Sequence, residues 1–181
     1  PRLVSTDLPI FEHIISDVFP TVKSGEVVEE SLKKHLNNAF TAMNAIPLPE
    51  YIAKAGEIYE ITMIRHGIMF IGRAMGGKSM TWKALKDALT SLSEEGVGKP
   101  VEVITLNPKA ISIPELYGLF DPVTSGWSDG VLSNYIRTCS ISEPTSWKWI
   151  VVDGPVDSLW IETMNSLLDD NKVLCLSNNE R

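Results

Sequence analysis

The chain has 181 residues, 44% of them apolar and 22% charged, and its 16 Lys and Arg against 23 Asp and Glu leave a net charge of −7. Those proportions are those of an ordinary globular domain with a core of its own and exclude disordered and collagen-like classes. The acidic balance argues against nucleic acid or a lipid surface as partner, no apolar run approaches the roughly 20 residues needed to cross a bilayer, and no basic-then-apolar leader opens the chain, so it reads as cytosolic.

Cys139 and Cys175 show no metal or redox spacing and are expected to be buried thiols. His13, His35 and His66 stand singly and read as surface or packing residues rather than metal ligands.

In chain order, an extended opening over residues 3–8 leads to a short amphipathic helix over 9–19, with Pro9 at its first turn and Pro20 ending it. A polar link at 23–26 precedes a second helix over about 28–43, broken by Pro47 and Pro49. A third helix over about 50–65 is expected to close at Gly67. An apolar, strand-like run at 68–71 enters a glycine-rich loop, and a helix follows to about residue 93. A β-type run spans 101–106, a short helix 114–118 and a loop 120–126. Another helix covers about 129–138, a third strand 147–153 and a last helix 158–168. The apolar run 173–176 then enters a turn. Strands alternating with helices imply a mostly parallel sheet. The chain opens at Pro1 without an initiator methionine and shows only three core strands, so it reads as a piece of something longer.

The run from Ile68 to Ser79 organises the rest. Gly72-Arg73-Ala74-Met75-Gly76-Gly77-Lys78-Ser79 fits a glycine, four free positions and Gly-Lys-Ser, preceded by a strand-like run and followed by Met80 on a helical pattern. Backbone N–H groups must converge on phosphates there, and side chains at Gly72, Gly76 or Gly77 would obstruct them. Lys78 offers an ammonium to the outer phosphates and Ser79 an oxygen to Mg2+. The alternative is a glycine-rich turn that carries a lysine by chance. The spacing and context make nucleotide binding the leading reading.

The third strand ends on Asp153, whose carboxylate would order the magnesium; the plainer alternative is that Asp153 only starts a turn with Gly154-Pro155. Ring-forming phosphate-loop ATPases commonly place a glutamate after this aspartate to activate water. Here Gly154 stands instead and cannot take up a proton, a loss of general-base help typically worth about 100- to 10,000-fold. Asp157 reads as a helix cap.

With Asp7-Leu8-Pro9-Ile10-Phe11, the stretch 103–117, Gly126-Trp127-Ser128-Asp129-Gly130, the stretch 149–157 and Trp160-Ile161-Glu162-Thr163-Met164-Asn165 in view, the whole chain resembles one AAA+ module of a dynein heavy chain, most closely the second of six and of the axonemal type. The resemblance implies a P-loop NTPase three-layer α/β sandwich with a mostly parallel sheet. Residues 1–67 would form a helical lead-in and 68–181 a partial core, with later strands, sensor residues and helical lid absent. It implies ATP or ADP with Mg2+, held in a structural or regulatory way by residues 72–80 and Asp153 with no catalytic residue, beside neighbouring modules of the same heavy chain and in a ciliary or flagellar axoneme. Microtubule contact would come only through the parent motor, and no nucleic acid or membrane is expected. By the same resemblance Leu8, Pro9 and Ile10 would line the adenine pocket, where plain helix packing is the alternative, and Arg73 stands where the family often has proline. A hydrolysing ATPase and a scaffold segment with a vestigial loop remain the competing readings.

Overall fold

Two mostly apolar runs set the layering, because side chains two apart on a strand face the same way and both faces of these runs carry apolar residues. In the computed structural model, which describes residues 4, 6–19 and 26–180, they form β1 (Val101–Leu106) and β4 (Trp147–Val152). These strands pair in parallel, Val101 opposite Trp147 through Leu106 opposite Val152. Val101, Val103, Trp147 and Trp149 face one cluster, and Leu106, Ile150 and Val152 face another.

The first cluster is covered by α2 (Glu26–Ala42), α3 (Pro49–Ile64) and α4 (Lys78–Glu94) through Leu32, Leu36, Ile58, Leu85, Leu89 and Leu92. The second is covered by α5 (Ile113–Tyr117), α6 (Val131–Ile141) and α7 (Ser158–Leu168) through Leu116, Tyr117, Leu132, Trp160 and Met164. Helices on both faces of a parallel sheet make the three-layer arrangement. A small antiparallel pair, β2 (Gly118–Phe120) with β3 (Trp127–Asp129), joins α5 to α6. The first helix, α1 (Leu8–Val18), leaves its apolar stripe of Ile10, Phe11, Ile14, Ile15 and Val18 exposed.

Local chemistry explains the ends of these elements. Ser112 accepts from the Glu115 N–H while the Glu115 carboxylate accepts from the Ser112 N–H, a reciprocal cap that starts α5 despite its five residues. Asp157 caps α7, accepting from the Leu159 N–H at 2.8 Å.

Several expectations are corrected. The run 68–71 joins no ladder: Met69, Phe70 and Ile71 are exposed, and the β1–β4 pair offers them no adjoining strand. The third helix does not close on a left-handed glycine, since Arg65 takes its C-cap in an extended conformation. The hairpin of β2 and β3 replaces part of the expected loop. Cys139 is half-buried and Cys175 exposed, so neither is a buried thiol. Pro20 and most of the expected polar link fall outside the described residues. Among the described residues no helix is long and apolar enough to cross a membrane.

Candidate functional site

The glycine loop meets α4 through Gly77, which serves as the helix N-cap in a left-handed conformation, φ +78°. The first bond closing α4 runs from the Thr81 N–H to the Gly77 carbonyl at 2.8 Å, which leaves the N–H groups of Lys78, Ser79 and Met80 facing out of the helix end. A helix N-terminus with free N–H groups and its dipole favours negative charge. Before it, Gly76 N–H closes a turn on the Arg73 carbonyl at 3.2 Å, and Met75 takes φ +61° at the exposed tip. Lys78 folds back over this turn, its Nζ donating to the Gly72 and Arg73 carbonyls at 2.8 and 2.7 Å. Gly72, Arg73, Ala74, Gly76 and Ser79 are exposed, while Met80 packs against the cluster of Ala39, Phe40 and Ala84.

The sheet ends in the same region. A turn over residues 95–100 reverses the chain between α4 and β1, and Leu89 and Leu92 lie with Val101 at the start of the strand. The N-terminus of α4 therefore lies toward the carboxyl ends of β1 and β4, where ligands of parallel α/β sheets bind. Asp153 follows β4 there, its N–H donating to the Leu106 carbonyl at 2.9 Å. Its side chain is exposed, and among the described residues its carboxylate has no hydrogen-bond or ion-pair partner.

Gly154 sits against the chain leaving β1. A Cβ there would lie 2.9 Å from Asn107 Oδ1 and 3.0 Å from Pro108 Cδ. Asn107 Oδ1 already accepts from the Lys109 N–H at 3.0 Å. Lys109 in turn pairs with Asp157, and that ammonium, then the Leu159 N–H, hold the Asp157 carboxyl below the usual carboxylate range. Asp157 is thus committed to the α7 cap and to Lys109.

Leu8, Pro9 and Ile10 lie in the first turn of α1, with Leu8 39% and Ile10 61% exposed; the described hydrogen bonds of α1 are local. The sequence reading missed Tyr51, at the start of α3: its ring lies against Gly77, so that a Cβ there would meet Cε1 at 2.8 Å. It also missed Asn107 and Lys109. Their segment was legible as the exit from β1, but the neighbours that define their roles are distant in sequence.

A glycine loop feeding a helix at the carboxyl ends of parallel strands, with helices on both faces, defines a partial P-loop α/β fold of the AAA+ class. The family model described as the hydrolytic ATP binding site of dynein motor region matches residues 1–79. Over 99% of its length the chain is 40% identical to dynein axonemal heavy chain 12 of Homo sapiens, covering 6% of that protein. It is 44% identical over 99% of its length to dynein axonemal heavy chain 3 of Mus musculus, covering 4% of that protein. Over nearly its whole length the chain is thus similar to dynein heavy chains, of which it spans only a small part.

Proposed function

We propose that this module binds ATP or ADP with Mg2+ and holds it in a structural or regulatory role, with little hydrolysis of its own. The observation that carries the reading is the left-handed Gly77 cap, which opens three N–H groups at the head of α4 beside Lys78. The backbone of residues 72–80 would bind the phosphates, and Lys78 would exchange its loop carbonyls for phosphate oxygens. Ser79 and Asp153, exposed and free of protein partners among the described residues, offer oxygens of the kind Mg2+ takes; the ion would supply charge neutralisation on the phosphates. Leu8, Pro9 and Ile10 would close on the base.

Weak hydrolysis follows from the residues beside Asp153. Gly154 has no proton acceptor, and Asp157 is a poor base because Lys109 and the α7 N-terminus stabilise its ionised form. The family description names a hydrolytic site, which favours turnover as the second reading, but the match covers residues 1–79 and not the segment after β4. The chain spans about 4 to 6% of the length of these relatives. The printed names of these relatives support an axonemal heavy chain as the parent; the same proposal makes the module the second of six in the ring, with neighbouring modules as its direct partners and microtubules reached only through the parent motor.

The test is the thermal midpoint with and without Mg·ATP, since a ligand that binds only the folded state raises it. At a hundredfold excess over Kd the wild type is expected to gain about 5–10 °C, and Lys78→Ala to gain almost nothing. No gain in the wild type overturns nucleotide binding. Multiple turnovers of phosphate release, abolished in Lys78→Ala, select the hydrolysing reading instead.

A further inference from the structure

Tyr51 stands in the first turn of α3, after Pro49, and none of the loop chemistry described so far uses it. Its ring edge lies on the α-carbon of Gly77: a Cβ there would come within 2.8 Å of Cε1, 3.3 Å of Cζ and 3.4 Å of the hydroxyl oxygen. The ring is also fixed from behind. It packs on Phe40 of α2 with centroids 6.3 Å apart and joins the cluster of Ala39, Phe40, Ala84 and Met80. Among the described residues its hydroxyl has no hydrogen-bond partner.

Gly77 is the residue on which the free N–H groups of α4 depend, because its left-handed turn aims the loop into the helix. A rigid aromatic ring braced by α2 and pressed on that one residue limits where the cap can sit. We infer that Tyr51 is a positioning residue of the phosphate loop: its ring holds Gly77, and so the N–H groups of residues 78–80, in place for a phosphate group of a nucleoside di- or triphosphate. The ring carries this role, not the hydroxyl. The inference rests on the nucleotide-binding reading above and adds to it a mechanical link from α3 to the loop.

Mg·ADP affinity is measured by calorimetry on the wild type, Tyr51→Ala, Tyr51→Phe and Ile58→Val, at a temperature where each is folded. Tyr51→Ala is expected to bind more weakly, by up to about a hundredfold for a misplaced loop, while Tyr51→Phe restores wild-type affinity. Ile58→Val, a core change on the same helix away from the loop, is expected to lower the midpoint with affinity unchanged. In parallel, 3-fluorotyrosine is incorporated and its four ¹⁹F signals, one for each of the chain's 4 tyrosines, are followed on adding Mg·ADP. The signal missing in Tyr51→Phe is expected to shift. This readout decides the matter if Tyr51→Ala does not fold, because an unshifted Tyr51 signal at saturating ADP overturns the inference. Equal affinity in Tyr51→Ala and wild type overturns it as well and leaves nucleotide binding intact. A wild type that does not bind overturns both readings.

Discussion

Gly154 is held to glycine by its surroundings. The turn leaving β1 brings Asn107 Oδ1 and Pro108 Cδ to 2.9 and 3.0 Å from where a Cβ would stand. The amide end could swing aside, at the cost of its bond to the Lys109 N–H; the proline ring has no such freedom. Gly154→Ala is therefore expected to cost about 1–2 kcal/mol, seen as a midpoint lowered by a few degrees. Gly154→Glu, which puts a carboxylate beside Asp153, is expected to cost more and to leave phosphate release flat, since the same turn fills the space its side chain needs. Faster release with an unchanged midpoint would show that the position tolerates a base after all. That no general base follows Asp153 could be read directly from the sequence. That none would fit could not, because the obstruction comes from the turn leaving β1, which is far from Asp153 in the chain.

At the level of elements, α5, α6 and α7 are joined through one buried residue, Tyr117. Tyr117 donates its hydroxyl to the Trp160 carbonyl of α7, and Ser133 of α6 donates to the Tyr117 carbonyl. Burial pushes the Tyr117 phenol up to about 12, so it remains a donor at neutral pH. Tyr117→Phe keeps the packing and removes that donor; the expected cost is about 1 kcal/mol, measured by denaturant unfolding with an unchanged m-value. A neutral result would mean the Trp160 carbonyl is satisfied within its own helix. Helices with a continuous apolar stripe were legible to within a few residues, as α7 shows, because periodicity and the Asp157 cap are local signals. The hairpin of β2 and β3 was not, since three-residue strands are too short for a period to show. The run 68–71 failed for the opposite reason: its composition suits a strand, but a strand exists only with a partner beside it.

Across the whole molecule, the acidic surplus is organised around a few cations that tie distant segments. Arg137 of α6 reaches Glu180 near the end of the described chain and Asp129 of β3, and Lys148 of β4 faces Glu102 of β1. The Arg137 guanidinium, with Asn178 adding to it at Glu180 and Trp127 at Asp129, draws the Glu180 and Asp129 carboxyls below their usual range; Lys148 and then Ser146 do the same for Glu102. A carboxyl that ionises more readily in the folded state adds stability above its unfolded pKa, about 4, and that contribution is lost as pH falls through the lower folded value. The module is therefore expected to hold a level midpoint near neutrality and to lose stability on acidification below about pH 4. Arg137→Gln removes the attraction for Asp129 and Glu180 together. Its midpoint is expected to lie below wild type at pH 7 and to converge on it at the acid pH where the wild-type carboxyls are protonated too. High salt should shrink the difference at pH 7, because both partners are solvent-accessible and screened. If the two curves stayed parallel down to that pH, Arg137 would be stabilising through the packing of its stem rather than its charge, and the tie between α6 and residues 177–180 would have to rest on the apolar contacts of Leu174 and Leu176 with the second core.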